Sequence, residues 1–291
     1  MRTLLIVLSL GLFAMVVSAA RPSPDAAGGR IVFVSHSDIW TMRPDGTGVR
    51  RLTRNNREEA CPSWSPNGRW IAFTRRGVRP PDVYVMRADG GAQRRIAHTV
   101  GSDMCPAWSP DGRRLVFVSL YANSTTGGYH DVFTIGVNGR GLRKLTRQRE
   151  AWEVASWWRR GLIAYVNTRS PLDGSDIWTM RADGSDKRRL TNAVSEWNTE
   201  PDWSPDGGRI AYISDLQSYG AVQTMNHDGS GVRKLTNVTV PEGSPSWSPD
   251  GRKLVFGRNG QIYTMNADGT GVRQLTHARY GVAASDWGAA R

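Results

Sequence analysis

A pattern of strand, tight turn and strand recurs six times along this chain of 291 residues. Each copy alternates apolar and polar positions around an Asp-Gly or Asn-Gly pair, as in DIWTMRPDGTGVRRLT, which is the sequence pattern of a β-hairpin. The copies begin at Asp38, Asp82, Asp131, Asp176, Ala221 and Gln261, so successive starts are 44, 49, 45, 45 and 40 residues apart. This period predicts one four-stranded blade of a β-propeller for each copy.

A second series of segments precedes five of these hairpins, and each contains a tryptophan. The segments are PSWSPNGRWIAF from Pro62, PAWSPDGRRLVF from Pro106, ASWWRRGLIAY from Ala155, PDWSPDGGRIAY from Pro201 and PSWSPDGRKLVF from Pro245. Each predicts two further strands around a turn of the Ser-Pro-Asp-Gly type, although the Ala155 segment has Trp158-Arg159-Arg160-Gly161 in its place. The 32 glycines and 15 prolines agree with many short strands joined by tight turns.

The two ends of the repeat region are complementary. The first repeat begins at Gly29-Arg30-Ile31 without its tryptophan strand, and the chain finishes with that strand alone, Ala284-Ser285-Asp286-Trp287. We therefore predict an all-β, six-bladed β-propeller with four antiparallel strands per blade. The C-terminal strand should complete blade one, which leaves no unpaired sheet edge at the seam.

The repeated residues resemble a known family. The Trp-Ser-Pro-Asp-Gly turns, the Ile-Ala-Phe strands and the Arg-Arg-Leu-Thr endings are similar to those of the TolB-like (WD-like) β-propeller repeat family, over about residues 29–288. The resemblance implies the propeller fold. In that family's namesake a separate domain precedes the propeller, whereas only residues 21–28 do so here, so a role in the Tol-Pal envelope system does not follow from it.

The N-terminal residues predict export. Arg2, the apolar run from Leu4 to Val17 and the small residues ending at Ala20 are typical of a signal peptide, with an uncleaved anchor as the alternative. The predicted division is therefore signal peptide 1–20, short segment 21–28 and propeller 29–291. The formal charge of +12 attracts polyanions, but a periplasmic or secreted location argues against nucleic acid. We expect a monomer that has no membrane span after cleavage.

Blade topology divides the loops between two rims. The Ser-Pro-Asp-Gly turns and the Asp-Gly hairpins share one rim, the bottom rim, because both follow strands that run in the same direction. They are short and nearly identical, as structural turns are. The loops on the opposite, top rim differ in length from blade to blade. Variable loops on a rigid scaffold are the usual place for recognition, so the sequence favours the top rim as the binding face.

Acidic side chains are predicted at the top mouth of the central channel. The position five residues before each blade tryptophan carries Glu59, Asp103, Trp152, Asn198, Glu242 and Val282. The position three before it carries Cys61, Cys105, Val154, Glu200, Ser244 and Ala284. Carboxylates that converge there suggest a cationic ligand, a basic peptide end or a divalent ion. The alternative is a water-filled channel that needs no ligand, and no calcium-type loop is present, so no metal is predicted.

Two further features belong to this candidate site. Trp152, Trp197 and Tyr280 fall outside the repeat register between blades and are predicted to form an apolar rim for a partner. Cys61 and Cys105 occupy equivalent positions in neighbouring blades, and an exported compartment permits a disulfide. Their pairing stays open, because equivalent inner-strand Cα atoms in adjacent blades can lie beyond the ~7 Å that a disulfide tolerates.

Each of the first five hairpins ends in a basic doublet on its outer strand: Arg50-Arg51, Arg94-Arg95, Arg143-Lys144, Arg188-Arg189 and Arg233-Lys234. These doublets are interpreted as protection of exposed sheet edges, with a cationic belt for polyanions as the alternative. The motifs Gly-x-Ser-x-Gly, His-Glu-x-x-His and Gly-x-x-x-x-Gly-Lys do not occur in the sequence. We therefore predict a non-enzymatic binding or scaffold protein without a cofactor, whose partner is a protein or peptide; a protein of the cell envelope is one candidate. The alternative is a glycan lyase or hydrolase that uses channel-mouth carboxylates or a metal. In blade five, Ala221 and Gln223 replace the aspartate and the aromatic residue found in other repeats, and the sequence alone does not explain the change.

Overall fold

The computed structural model describes residues 29–77, 80–121, 129–147, 153–158, 160–168, 174–192, 196–215, 220–237, 239–277 and 282–288. The predicted signal peptide and the segment 21–28 lie outside these residues. In the described part of the chain, no helix is long and apolar enough to cross a membrane.

The described residues form 24 strands. In chain order they are β1 (Arg30–Ser35), β2 (Asp38–Met42), β3 (Arg50–Arg51), β4 (Glu58–Trp64), β5 (Trp70–Arg76), β6 (Asp82–Arg87), β7 (Arg94–Ala97), β8 (Ser102–Trp108), β9 (Arg114–Tyr121), β10 (Tyr129–Gly136), β11 (Arg143–Lys144), β12 (Glu153–Trp157), β13 (Leu162–Asn167), β14 (Asp176–Arg181), β15 (Arg188–Arg189), β16 (Trp197–Trp203), β17 (Arg209–Asp215), β18 (Ala221–Asn226), β19 (Arg233–Lys234), β20 (Glu242–Trp247), β21 (Lys253–Arg258), β22 (Gln261–Asn266), β23 (Arg273–Gln274) and β24 (Val282–Gly288).

The strands form six antiparallel sheets of four strands each, which are the six blades of a β-propeller. Blade one consists of β24, β1, β2 and β3, and each later blade consists of four consecutive strands. The chain closes the ring by pairing β1 with β24, from Arg30 opposite Gly288 to Ser35 opposite Val282. The predicted fold class and the predicted closure are both confirmed.

The apolar core of the described residues lies between the blades rather than inside one central core. Six buried clusters occur, and each joins residues of two neighbouring blades. In one of them Trp108 of blade three packs with Val83 and Val85 of blade two. The recurring tryptophans and β-branched residues therefore hold the ring together, because each sheet has two faces that must be covered.

The threonine of the Arg-Arg-Leu-Thr ending forms the same hydrogen bond in five blades. Its hydroxyl accepts the N–H of the residue that follows the first position of the repeat, as from Ile39 to Thr53 at 2.8 Å and from Val132 to Thr146 at 2.9 Å. The same hydroxyl donates to the side chain at that first position, such as Asp131 at 2.9 Å. The motif therefore ties the short outer strand to the third strand of its blade.

The basic doublets of the outer strands contact specific groups. The second residue of the doublet pairs with the aspartate that begins the third strand, as Arg95 does with Asp82 at 3.2 Å. In blades one, two, three and six the first residue reaches the next blade; Arg94, for example, donates to the Val137 carbonyl oxygen at 2.7 Å. The basic doublets therefore lie on exposed edge strands and also form contacts within a blade and between neighbouring blades.

The structure explains the unusual residues of blade five. Ala221 removes the aspartate that accepts the threonine hydroxyl in other blades, and Glu242 of blade six supplies a carboxylate to Thr236 instead. Glu242 also accepts the N–H of Val222 at 3.2 Å. Gln223 replaces an aromatic residue, and Tyr212 donates its hydroxyl to Gln223 Oε1 at 3.0 Å where other blades stack two rings.

Candidate functional site

The innermost strands carry a bulge at the position three residues before the blade tryptophan. In β4, for example, the pairing with β5 shifts between Ala60 and Ser63, so two residues face one on the neighbouring strand. Cys61, Cys105, Glu200 and Ser244 occupy this position with φ between 46° and 52°, a region that residues other than glycine seldom adopt. All four side chains line one pocket on the propeller axis.

This axial pocket has a volume of about 350 Å³ and is open to solvent. It extends from the bulge residues to the bottom rim, where its wall is formed by Pro66, Pro110 and Pro205 of the Ser-Pro turns. Trp158, from the departing turn of blade four, joins this rim and stacks on Trp203 with ring centroids 5.4 Å apart. The rim of the pocket is therefore apolar, and its polar side chains lie deeper.

Two aspartates of the pocket accept backbone N–H groups across blade boundaries. Both stand one position before a blade tryptophan. Asp202 accepts from the N–H of Trp247 at 2.9 Å, and Asp286 accepts from the N–H of Trp64 at 2.6 Å. Ser246 lies within hydrogen-bonding reach of both carboxyl groups and donates to Asp286 at 2.9 Å. The three side chains thus link blades five, six, one and two.

Burial raises the pKa of both aspartate carboxyl groups. Loss of solvation, and then the nearby Asp286, raise the pKa of Asp202 from 3.8 to about 7, although Trp247, Ser156 and Ser246 provide hydrogen bonds that oppose the shift. Burial also raises the pKa of Asp286. Asp202 is therefore largely protonated in slightly acidic solution and ionises near neutral pH.

Glu200 is the third acid of the pocket. Burial raises its pKa, and the backbone N–H of Ser244 in the next blade donates to its Oε2 atom. Among the described residues lining the pocket, none is Arg, Lys or His. Three carboxyl groups therefore share a concave site in which the described wall provides no cation.

The acids predicted at the top mouth occupy a different environment. Glu59 is 2% exposed and accepts from Arg75 Nε at 2.9 Å, from Asn55 at 2.8 Å and from Thr53 at 2.7 Å. Glu242 has the same arrangement with Arg258, at 2.7 Å from its Nε atom. Each arginine also lies over two aromatic rings of its own blade. These glutamates do not line the axial pocket, and their predicted role in binding stays a prediction.

Asp103 and Asn198 also join neighbouring blades. The N–H of Asp103 donates to the Pro81 carbonyl oxygen at 2.8 Å, and the N–H of Asn198 donates to the Ser175 carbonyl oxygen at 3.0 Å. The side chain of Asp103 is buried and accepts two hydrogen bonds from Thr99, while burial raises the pKa of Asp103. Neither residue lines the pocket. Their predicted role in binding stays a prediction.

The remaining candidates divide into three groups. Cys61 and Cys105 form a disulfide with Cα atoms 4.9 Å apart. This distance is below the ~7 Å limit for a disulfide, so the pairing that the sequence left open is formed. Trp197 is half-buried at the start of β16, beside Ser175 of the preceding blade, and does not line the pocket. Trp152 and Tyr280 lie outside the described residues. The predicted apolar rim of Trp152, Trp197 and Tyr280 is therefore untested.

Sequence reasoning missed Asp202 and Asp286. A signal was present in the alignment of the repeats, because the position before the blade tryptophan is serine or alanine in the other four blades and aspartate in these two. The signal was weak because a polar residue beside a turn is ordinarily solvated. Among the described residues, no group of three or more His, Cys, Asp and Glu side chains is arranged to hold a metal ion.

Comparisons with known proteins agree with the architecture. A family profile described as the TolB beta propeller domain matches residues 163–285, and one described as the Tricorn protease N-terminal beta propeller domain matches residues 21–127. The Tol-Pal system protein TolB of Nitratidesulfovibrio vulgaris is 37% identical over 49 residues. That alignment covers 15% of this chain and 11% of the relative, so it spans a small part of either protein.

Solved structures extend the likeness to most of the chain. TolB from Acinetobacter baumannii superposes with a TM-score of 0.77 at 21% identity, covering 91% of this chain and 67% of that one. An oligogalacturonate lyase in complex with manganese superposes with a TM-score of 0.59 at 15% identity, covering 83% of this chain and 71% of that one. At such identities the likeness shows the fold alone.

Proposed function

Because the chain is a TolB-like β-propeller, we propose that it is an extracytoplasmic binding protein that recognises a protein or peptide partner through its axial pocket. The observation that carries the proposal is the pocket itself. A concave site with an apolar rim and a few polar groups at its base is typical of ligand recognition. Pro66, Pro110, Pro205 and Trp158 provide the rim, and Glu200 and the two aspartates provide the base.

The rigidity of the site supports binding as its role. The pocket wall is made of innermost strands, which hydrogen bonds and a disulfide join across blade boundaries. A wall of this kind loses little conformational freedom when a partner docks, and this lowers the cost of association. Prolines at the rim restrict the turns further.

The comparisons support an envelope partner. One curated relative is named as a Tol-Pal system protein, and one of the similar solved structures is also a TolB. We extend this to the chain as a proposal: the protein lies outside the cytoplasm, and its partner is a protein of the cell envelope. The lyase alternative has a fold-level neighbour as its support, and no arrangement in the described pocket favours it over binding.

A site-specific crosslinking experiment tests the proposal in the producing cell. A photoreactive amino acid replaces Pro66 at the bottom rim or, in a matched variant, Val100, which is 90% exposed next to the top end of β8. We expect irradiation to give a discrete protein adduct from position 66 and none from position 100. An adduct from position 100 alone would move recognition to the predicted top face, and the absence of any adduct would contradict a protein partner.

A further inference from the structure

The acids of the axial pocket occupy repeat positions at which other blades have residues that are not acidic. Ser156 and Ser246 occupy the position of Asp202 and Asp286, and each accepts the N–H of the next blade's tryptophan, at 3.1 and 3.4 Å. This is the same bond that the aspartates accept. A serine therefore performs the structural task without burying an ionisable group, and the two aspartates add a desolvation cost that the blade junction does not require.

Glu200 follows the same logic at the bulge. The equivalent positions carry Cys61, Cys105, Val154, Ser244 and Ala284, so the bulge does not require a carboxylate. Among the described residues, the N–H of Ser244 is the hydrogen-bond donor to Glu200, and it reaches the Oε2 atom. The other oxygen, Oε1, has no donor in that part of the chain. A carboxylate oxygen without a donor on a pocket wall is an acceptor available to a ligand.

The charge of the pocket contrasts with the charge of the chain. The formal net charge is +12, yet the described wall contains three carboxyl groups and no basic side chain. Arg160 lies near the rim, over the Trp158 ring at 5.5 Å, and does not line the pocket. Proteins that bury costly polar groups without structural need often do so at functional sites. A positively charged ligand group would offset that cost.

We propose that the axial pocket binds an arginine side chain of the partner, with Glu200, Asp202 and Asp286 accepting its N–H groups. The inference rests on the proposed function, since it names the part of the partner that enters the pocket. A guanidinium group has five N–H donors in a plane, which suits several carboxyl oxygens at once. It also stacks on aromatic rings, and Trp108, Trp158 and Trp203 line the same pocket.

Two capped pentapeptides test this assignment with the purified protein. One has a central arginine between glycines, and the other has citrulline, which keeps the shape and removes the charge. Binding is followed by the NMR signals of the tryptophan indole N–H groups. We expect the arginine peptide to shift the pocket tryptophan signals in a saturable way, and the citrulline peptide to bind at least 10-fold more weakly.

Variants that borrow residues from sibling blades provide the controls. Glu200→Ser copies Ser244, and the double variant Asp202→Ser with Asp286→Ser copies Ser246, so both are expected to keep the fold. We expect each to weaken the arginine peptide at least 5-fold. Glu58→Gln removes an exposed carboxylate that pairs with Arg76 at 3.7 Å outside the pocket, and it should leave the affinity unchanged. Thermal unfolding confirms that each variant is folded.

The outcomes separate this inference from the proposed function. Equal binding of the two peptides, or an unchanged affinity in Glu200→Ser, would overturn the arginine assignment while a peptide still entered the pocket. No binding of the arginine peptide would also overturn it. The crosslinking experiment from position 66 reports on the protein partner independently of either peptide, so an adduct there would preserve the proposed function even if the peptide assay failed.

Discussion

Two sets of acids lie on the innermost strands of this propeller, at different heights and in different surroundings. At the top ends, Glu59 and Glu242 each pair with an arginine of the neighbouring strand and accept a threonine hydroxyl from the preceding blade. In the axial pocket, Glu200, Asp202 and Asp286 have no cation on the described wall. The comparison teaches that acids on the same inner strands differ in their partners, because each top-end acid has an arginine of its own blade beside it and the pocket acids have no cation on the described wall.

Removal of a top-end acid should have the largest effect. In Glu59→Ala, Arg75 would keep its charge with its side chain 12% exposed and lose its partner carboxylate. We expect a loss of about 3–5 kcal/mol in the free energy of unfolding, the usual result of breaking a buried pair. Urea unfolding measures it. Glu59→Gln keeps a hydrogen-bond acceptor, so its free energy of unfolding should fall by less. A loss below about 1 kcal/mol in the alanine variant would show that the fold does not depend on Glu59.

Removal of the disulfide tests a neutral pair on the pocket wall. The double variant Cys61→Ser with Cys105→Ser copies Ser244 at both bulges, so it removes the crosslink with little change in shape. The bond spans a sequence separation of 44 residues. Opening a loop of that size should cost about 2–4 kcal/mol in urea unfolding under oxidising conditions. An unchanged midpoint would mean that the crosslink is not formed in the purified protein.

Replacement of a pocket acid should raise the free energy of unfolding, whereas the two preceding changes lower it. Because the pKa of Asp202 in the folded protein is about 7 and its ordinary value is 3.8, ionisation of this group costs stability as the pH rises from about 4 through 7. Asp202→Ser removes that cost. We expect the variant to be more stable than the parent by about 2–3 kcal/mol at pH 8 and not at pH 4. A loss of stability at pH 8 would show that the fold requires the Asp202 carboxylate.

The smallest effect should come from the outermost strands, where charges are exposed. Arg94→Ala removes the hydrogen bond to the Val137 carbonyl oxygen at 2.7 Å, which joins blades two and three. Solvent competes for this exposed contact, so we expect a loss of about 0.5–1 kcal/mol in urea unfolding. A loss as large as that of Glu59→Ala would show that the outer belt, and not the inner strands, dominates the junction between blades.

The comparison also shows why sequence reasoning selected the top-end acids. Glu59, Asp103 and Glu242 recur at one register position, and recurrence drew attention to them as a convergent set. Their partners come from elsewhere: Arg75 ends the second strand, and Thr53 ends the preceding blade. A repeat alignment compares equivalent positions and does not report such contacts between different positions. Among the acids that share the cavity, Glu200 stands at the second position that sequence reasoning selected, three residues before the tryptophan, whereas Asp202 and Asp286 stand at a position that it missed.

The sequence by itself determined the six blades, the four strands of each and the closure by the C-terminal strand. Hydrophobic alternation, turn residues and the repeat period are local properties, so the chain displays them without reference to its folded neighbours. The tertiary structure alone decided the 4.9 Å approach of Cys61 and Cys105 and the burial of Asp202 beside Asp286. Both depend on the angle and spacing between blades, which arise from packing around the whole ring.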